Sequence, residues 1–317
     1  MRFADIAVNL TDPMYAGTYV GRPKHACDIP QVLARARDKG VQKILISGTS
    51  AADNIKALKL AKEYDLHCTA GCHPTSTPEI DAHPSGFEGY MQDLRGLIDS
   101  DRGEGGSKRI ISIGEIGLDY DRLHYSPRET QLKYLPDLLK LSEEYRLPLF
   151  LHGRSSESHV DLVRVLKEIG WSPSWGGAVL HSFTGTISEM KELVNMGIYV
   201  GINGCGLKLE ENLEMVKQIP LDHLILETDG PWCSITTSHA SHKNLPPATA
   251  ESDLFIQRVS KPAKWQDGSG VKGRQEPADI VVVAHVVAAL KGISIEELSE
   301  KVWENSMRLF WPSEVGQ

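Results

Sequence analysis

Eight short apolar runs recur along this chain, and segments of helical pattern lie between them. The runs are FADIAV (3–8), KILIS (43–47), LHCTAGC (66–72), RIISIGE (109–115), PLFLH (148–152), GAVLHSF (177–183), GIYVGI (197–202) and HLILETD (223–229). Helical patterns cover 30–39, 51–64, 87–99, 127–145, 157–169, 187–196, 210–218, 278–291 and 294–304. Runs such as KILIS and PLFLH are apolar at nearly every step, which suits parallel strands covered on both faces. Eight strand–helix units predict an α/β fold, a (β/α)8 TIM barrel. A doubly wound open sheet is the alternative, but no GxGxxG follows the first run.

Four of the runs carry, at or near their ends, a residue able to bind a metal: Glu115, His152, His181 and Asp229. They fall on predicted strands four, five, six and eight, so in a barrel their C-terminal ends converge on one rim. A lone histidine or glutamate at a strand end has a structural role to play; four in matched positions describe a metal site. Carboxylates with imidazoles suit Zn²⁺, Mn²⁺ or Fe²⁺, and a carboxylate-weighted site with waters also suits Mg²⁺. No thiolate takes part.

Other residues cluster near these ends. His73, in GCHPTS, is open to three roles: metal ligand, phosphate contact or general acid. A turn histidine ordered by Pro74 is the plainer reading. Arg154 lies two residues past His152, where a guanidinium can clamp an anionic oxygen or make a surface ion pair. Asp119 and Arg122, in GLDYDR, are ambiguous between loop structure and site.

Size and composition limit the alternatives. The 317 residues suffice for one large domain, 1–317, with 41% hydrophobic and 24% charged residues. No apolar run approaches the roughly 18 residues of a membrane span. The opening MRFADIAVNLTD carries Asp5 and no long apolar core, so it is expected to be the first strand rather than a signal peptide. A net charge of −8 disfavours non-specific coating of nucleic acid, while leaving room for a local phosphate site. Five cysteines, an odd number in a long chain, predict reduced core thiols rather than a disulfide framework, hence a cytoplasmic or nuclear setting.

Two connections are unusually long, 9–29 after the first strand and 232–277 after the eighth, and both are expected over the active face. Residues 257–275 carry Arg258, Lys261, Lys264, Lys272 and Arg274 against Asp267, with Trp265 among them. That composition leaves two readings open, a solvated flexible loop or a basic surface with a stacking side chain for a nucleic-acid strand.

Taken in order, VNLTD, GCHPT, IGEIGLDYDR, LHGR, HSFTG, ETDGPW, RQEP and NSMRLF resemble the TatD family of metal-dependent deoxyribonucleases, a branch of the amidohydrolase-like barrels. The resemblance runs from residue 3 to about residue 310, and the long loop at 232–277 looks like the eukaryotic branch. It implies a TIM barrel that hydrolyses DNA phosphodiester bonds, typically as a 3′→5′ exonuclease on single strands or 3′ ends, with endonuclease activity also linked to that branch. By motif, it implies metal ligands at Glu115, His152, His181 and Asp229. Catalytic work would fall to Glu115, Asp229 and His73, and phosphate binding to His73 and Arg154. Up to two divalent ions are implied, Mg²⁺ before Mn²⁺ or Zn²⁺. A small-molecule metal hydrolase and a D-aminoacyl-tRNA deacylase are the alternatives, with no membrane partner and the oligomeric state left open, a monomer being acceptable.

One departure from the wider superfamily stands out. Many of those barrels carry D-x-H-x-H on the first strand, whereas this strand reads Asp5-Ile6-Ala7-Val8-Asn9-Leu10. The missing imidazoles predict an oxygen-rich second position, with Asn9 holding a water or a weakly bound ion.

Overall fold

A computed structural model describes residues 1–246 and 254–315. Eight parallel strands alternate with helices. They are β1 Phe3–Val8, β2 Val41–Ile46, β3 His67–Ala70, β4 Ile110–Asp119, β5 Leu149–Arg154, β6 Ala178–Leu180, β7 Tyr199–Ile202 and β8 Leu224–Leu226. The main helices are α1 Ile29–Asp38, α2 Ala51–Glu63, α3 Gly86–Arg102, α4 Arg128–Tyr145, α5 Ser156–Glu168, α6 Ile187–Asn195, α7 Glu210–Gln218, α8 Ile280–Lys291 and α9 Ile295–Phe310. The strands form one eight-stranded sheet in chain order. Val8 makes a parallel bridge to Gly230, just past β8, so the first strand returns to the last. This closure makes the fold a (β/α)8 barrel and excludes the open sheet, whose edges would stay unpaired.

By residue contacts the chain divides into two compact units, 1–45 with 182–187 and 201–307, and 46–181 with 188–200 and 308–317. In the first unit every residue of β1 is buried, including Asp5. Helix α8 is apolar around nearly its whole circumference, and Ile280 to Ala284 and Val286 to Ala288 are buried. An all-round apolar helix of this kind belongs in a core. It stops at Gly292, which takes the left-handed conformation that closes helices. Among the described residues no single helix is long and apolar enough to cross a membrane.

The first unit also holds the described parts of both long connections. In 9–29, Thr18–Tyr19 pairs antiparallel with Arg22–Pro23. In 232–277, Arg258–Val259 pairs parallel with Gly270–Val271; residues 247–253 lie outside the described set. The expected basic surface is smaller than its composition suggests. Arg274 is wholly buried, its two guanidinium nitrogens donating to Asp28 Oδ1 and Oδ2 at 2.7 and 2.6 Å. It also donates to Glu276 Oε1 at 2.9 Å, and Arg35 donates to the other Glu276 oxygen at 2.8 Å. Arg258 pairs with Asp279. Of the five basic residues, Lys261, Lys264 and Lys272 stay exposed, as does Asp267. Trp265 is half-buried: its ring stacks on His25 at 5.0 Å, and its Nε1 donates to Asp28. Composition could not reveal this, because an arginine reads alike whether it faces water or an interior carboxylate.

In the second unit β5 places Leu149, Phe150 and Leu151 fully inside. Strand β4 departs from expectation. It does not stop at Glu115 but runs on through Asp119. Its pairing with β5 shifts between Gly114 and Ile116, so Glu115 is the extra residue of a bulge. A bulge re-aims a side chain without ending the strand. The glycines around Glu115 permit this close approach: a Cβ on Gly117 would sit 1.9 Å from the His152 carbonyl oxygen. The IGEIG sequence therefore bends a strand rather than ending one.

Candidate active site

The bulge aims Glu115 into a cluster of imidazoles, all in the second unit. Glu115 Oε1 lies 2.6 Å from His152 Nδ1, 2.8 Å from His181 Nε2 and 3.4 Å from His73 Nε2. All four residues are buried. Backbone bonds hold the cluster in place. The Glu115 N–H donates to Gly48 O at 2.7 Å, the His181 N–H to Leu151 O at 3.0 Å and the His73 N–H to Thr49 O at 3.0 Å. Phe150 stacks on the His181 ring at 4.6 Å, and His73 meets His152 edge-on at 4.5 Å. The rings therefore have little freedom to turn.

Asp119 extends the cluster, a role the sequence left ambiguous. Its Oδ2 lies 3.3 Å from His152 Nε2, so His152 has a carboxylate at each ring nitrogen. Buried Gln131, from α4, brackets the Asp119 backbone. It accepts from the Asp119 N–H at 2.8 Å and donates to the Asp119 carbonyl at 2.9 Å. Arg122 reaches Asp119 Oδ2 at 3.4 Å with its own side chain half exposed. One signal was available: Asp119 follows Glu115 by four residues within an otherwise apolar run. It was hidden because Gly117 looks like a strand break.

Burial alone would raise the Glu115 carboxyl. The charge of His181, with hydrogen bonds from His152 and His181, outweighs it and holds Glu115 well below the usual carboxylate range. Burial likewise opposes ionisation of Asp119, but His152 and Arg122 lower it. Burial pushes His73 down to about 3, so the ring is neutral at physiological pH. The Thr75 N–H donates to His73 Nδ1 at 3.1 Å, which leaves the ring proton on Nε2, facing Glu115. A ring in this state can donate to a phosphate oxygen and accepts a second proton only with difficulty. It is a hydrogen-bond donor rather than an imidazolium acid.

Two groups of three residues bring their donor atoms within 4.8 Å of one another: Glu115, His152 and His181, and His73, Asp119 and His152. Mixed imidazole and carboxylate donors, without a thiolate, suit a divalent cation of the Zn²⁺, Mn²⁺ or Mg²⁺ type. Arg154 closes β5, half-buried, two residues beyond His152 and so on the same strand face.

Asp229 belongs to the first unit and is described there. It adopts a positive φ of 53°, uncommon outside glycine and typical of strained functional positions. Asn9 Nδ2 donates to Asp229 Oδ1 at 2.9 Å and to the Gly230 carbonyl at 3.3 Å. The Asn9 amide N–H groups therefore orient Asp229. The Cys233 thiol donates to the other Asp229 oxygen at 3.3 Å.

Comparison with known proteins decides the lineage. The sequence matches the family described as TatD related DNase over residues 4–311. The chain belongs to this family. The Deoxyribonuclease Tat-D of Schizosaccharomyces pombe is 42% identical over 98% of this chain and 96% of its own length. The 3'-5' ssDNA/RNA exonuclease TatD of Erwinia amylovora is 33% identical over 96% of this chain and 98% of its own. Among solved structures, a TatD family hydrolase from Entamoeba histolytica superimposes with a TM-score of 0.87 at 36% identity, covering 98% of this chain and 99% of the other. The TatD resemblance and the barrel are thus both correct. The cysteine expectation needs amending: Cys68 and Cys72 are buried, but Cys27 is exposed and Cys205 and Cys233 are half-buried.

Proposed function

We propose that this TatD-family chain is a divalent-metal-dependent deoxyribonuclease that hydrolyses DNA phosphodiester bonds, acting 3′→5′ on single strands. The observation that carries this reading is the crowding of three imidazoles around one oxygen of buried Glu115. An ionised carboxylate costs several kcal/mol to bury unless a cation compensates it. Three imidazoles are a weaker substitute for a divalent cation and a good set of ligands for one. The name of the Erwinia relative, a 3'-5' ssDNA/RNA exonuclease, favours the polarity and the single-stranded substrate.

In this proposal Glu115, His152 and His181 hold the ion, which is Mg²⁺. Bound there, a divalent ion supplies Lewis-acid charge to the attacked phosphate and its water. Asp119 fixes the His152 ring from behind, in the manner of the outer carboxylates that orient ligating histidines. His73 donates its Nε2 proton to a non-bridging phosphate oxygen. Arg154 adds a guanidinium, whose planar fork suits phosphate. Asp229 is retained as a ligand and proton acceptor on its motif alone.

The test uses single-stranded DNA labelled at either end, beside a D-aminoacyl ester and a p-nitrophenyl phosphodiester, each with Mg²⁺ or with EDTA. Stepwise shortening from the 3′ end that needs Mg²⁺ is the expected result. A ladder of internal cuts would convert the proposal to an endonuclease, and turnover of the aminoacyl ester alone would overturn it.

A further inference from the structure

Cys205 and Cys233 meet in the first unit beside Asp229, and neither thiol has a part in the proposed chemistry. Their Sγ atoms are 2.6 Å apart, although the residues are separated by 28 positions. The approach is built into the backbone. A Cβ on Gly204 would lie 1.9 Å from the Cys233 carbonyl oxygen, so only glycine lets the two loops come this close. Cys233 itself takes a positive φ of 56°. Asn203 ties the pair to the end of β8: it accepts from the Cys205 N–H at 2.9 Å and donates to Glu227 Oε1 at 2.9 Å. Both cysteines are half-buried, whereas Cys68 and Cys72 are shut inside the core. A small oxidant can reach the first pair and not the second.

We infer that Cys205 and Cys233 form an oxidative modification site, closing to a disulfide under hydrogen peroxide and thereby loosening Asp229. The S–S bond of about 2.05 Å asks the two sulfurs to approach by only about half an ångström. Peroxide oxidises one thiol to a sulfenic acid with release of one water. The second thiol displaces the sulfenic oxygen as a second water. Two electrons leave the sulfurs, the O–O bond is reduced, and both thiol hydrogens end in water. The Cys233 hydrogen that had been donated to Asp229 Oδ2 is then gone, while the Asn9 amide stays on Oδ1. The coupling to activity rests on the deoxyribonuclease reading; disulfide formation does not.

The experiment treats the full chain with hydrogen peroxide, removes the excess with catalase, alkylates with N-ethylmaleimide and digests without reductant. The peptides bearing Cys205 and Cys233 are expected cross-linked and lighter by two hydrogens than the thiol pair. Recovery of both as alkylated thiols, at a dose that oxidises exposed Cys27, overturns the proposal. On labelled single-stranded DNA, oxidation should slow the wild-type chain about fivefold, the effect of one weak hydrogen bond lost from a charged oxygen. Dithiothreitol should restore the rate, and C205S should match the reduced wild type with or without peroxide. A cross-linked chain with an unchanged rate overturns the link to Asp229. A reduced chain without nuclease activity instead overturns the proposed function, and the peptide map alone then decides the thiol pair.

Discussion

The Arg274 cluster of the first unit and the Glu115 cluster of the second both bury carboxylates, yet they neutralise them differently. Around Arg274, two arginines face Asp28 and Glu276, and Arg274 and both carboxylates are fully enclosed. Each charge there has an opposite charge at hydrogen-bond distance, which is how an interior ion pair becomes tolerable. Around Glu115, among the described residues, the ion-pair partners are the rings of His73, His152 and His181, with no guanidinium or ammonium. A buried carboxylate kept ionised by imidazoles alone is arranged for a partner of higher charge. Asp5 shows a third solution. It is wholly buried, and burial pushes it up to about 8, so a proton neutralises it. The three carboxylate environments in one barrel thus read as ion-paired, ringed by imidazoles and protonated.

The largest expected effect separates the first two solutions. Glu115→Ala should cut metal-dependent nuclease activity on the order of 10⁴-fold, since it removes the anion around which the proposed ion is held. The folded state should survive, and Mg²⁺, which is expected to raise the melting temperature of the wild type, should leave that of the variant unchanged. Activity within tenfold of wild type, with an intact far-ultraviolet circular dichroism spectrum, would break the contrast between the clusters.

Arg274→Ala should do the reverse. It leaves Asp28 with only the more distant guanidinium of Arg35, at 3.8 Å, and one oxygen of Glu276 without its guanidinium, a loss of about 3–5 kcal/mol in urea unfolding. The Mg²⁺ concentration giving half-maximal activity should stay unchanged. A normal unfolding midpoint would show that water reaches Asp28 and that the pair is not truly interior.

The smallest effect concerns Asp5. Its folded value is raised above its ordinary one, so its contribution to stability is complete below the ordinary carboxylate range and is lost as pH climbs to about 8. Wild-type stability should therefore fall by about 1 kcal/mol per pH unit between pH 5 and 7 relative to Asp5→Asn. Parallel stability curves for the two chains would mean that Asp5 is ionised and that the third environment collapses into one of the others.

These contrasts also mark how far the sequence could be read. The runs at 3–8, 148–152 and 210–218 became β1, β5 and α7 with at most two residues of displacement, because their periodicity and their burial agree. Glu115, His152 and His181 were legible because ligand-type side chains recur at matched positions in successive apolar runs, and the structure brings all three together. Asp119 was not, since the extent of β4 depends on a bulge that pairing with β5 creates. Arg274 was misread as surface because its partner Asp28 lies 246 residues away.

By itself, then, the order of residues determined the alternation of strands and helices, the barrel and the side-chain types gathered at the candidate site, all of which follow from local periodicity and chemistry. Tertiary structure alone decided which charges meet. It turned a strand-ending glutamate into a bulge residue and drew one arginine of a basic loop, Arg274, into an interior ion network. It also set two thiols side by side at Asp229. The reason is physical: burial and pairing are properties of distance, and at these sites the chain brings together residues that its sequence keeps far apart.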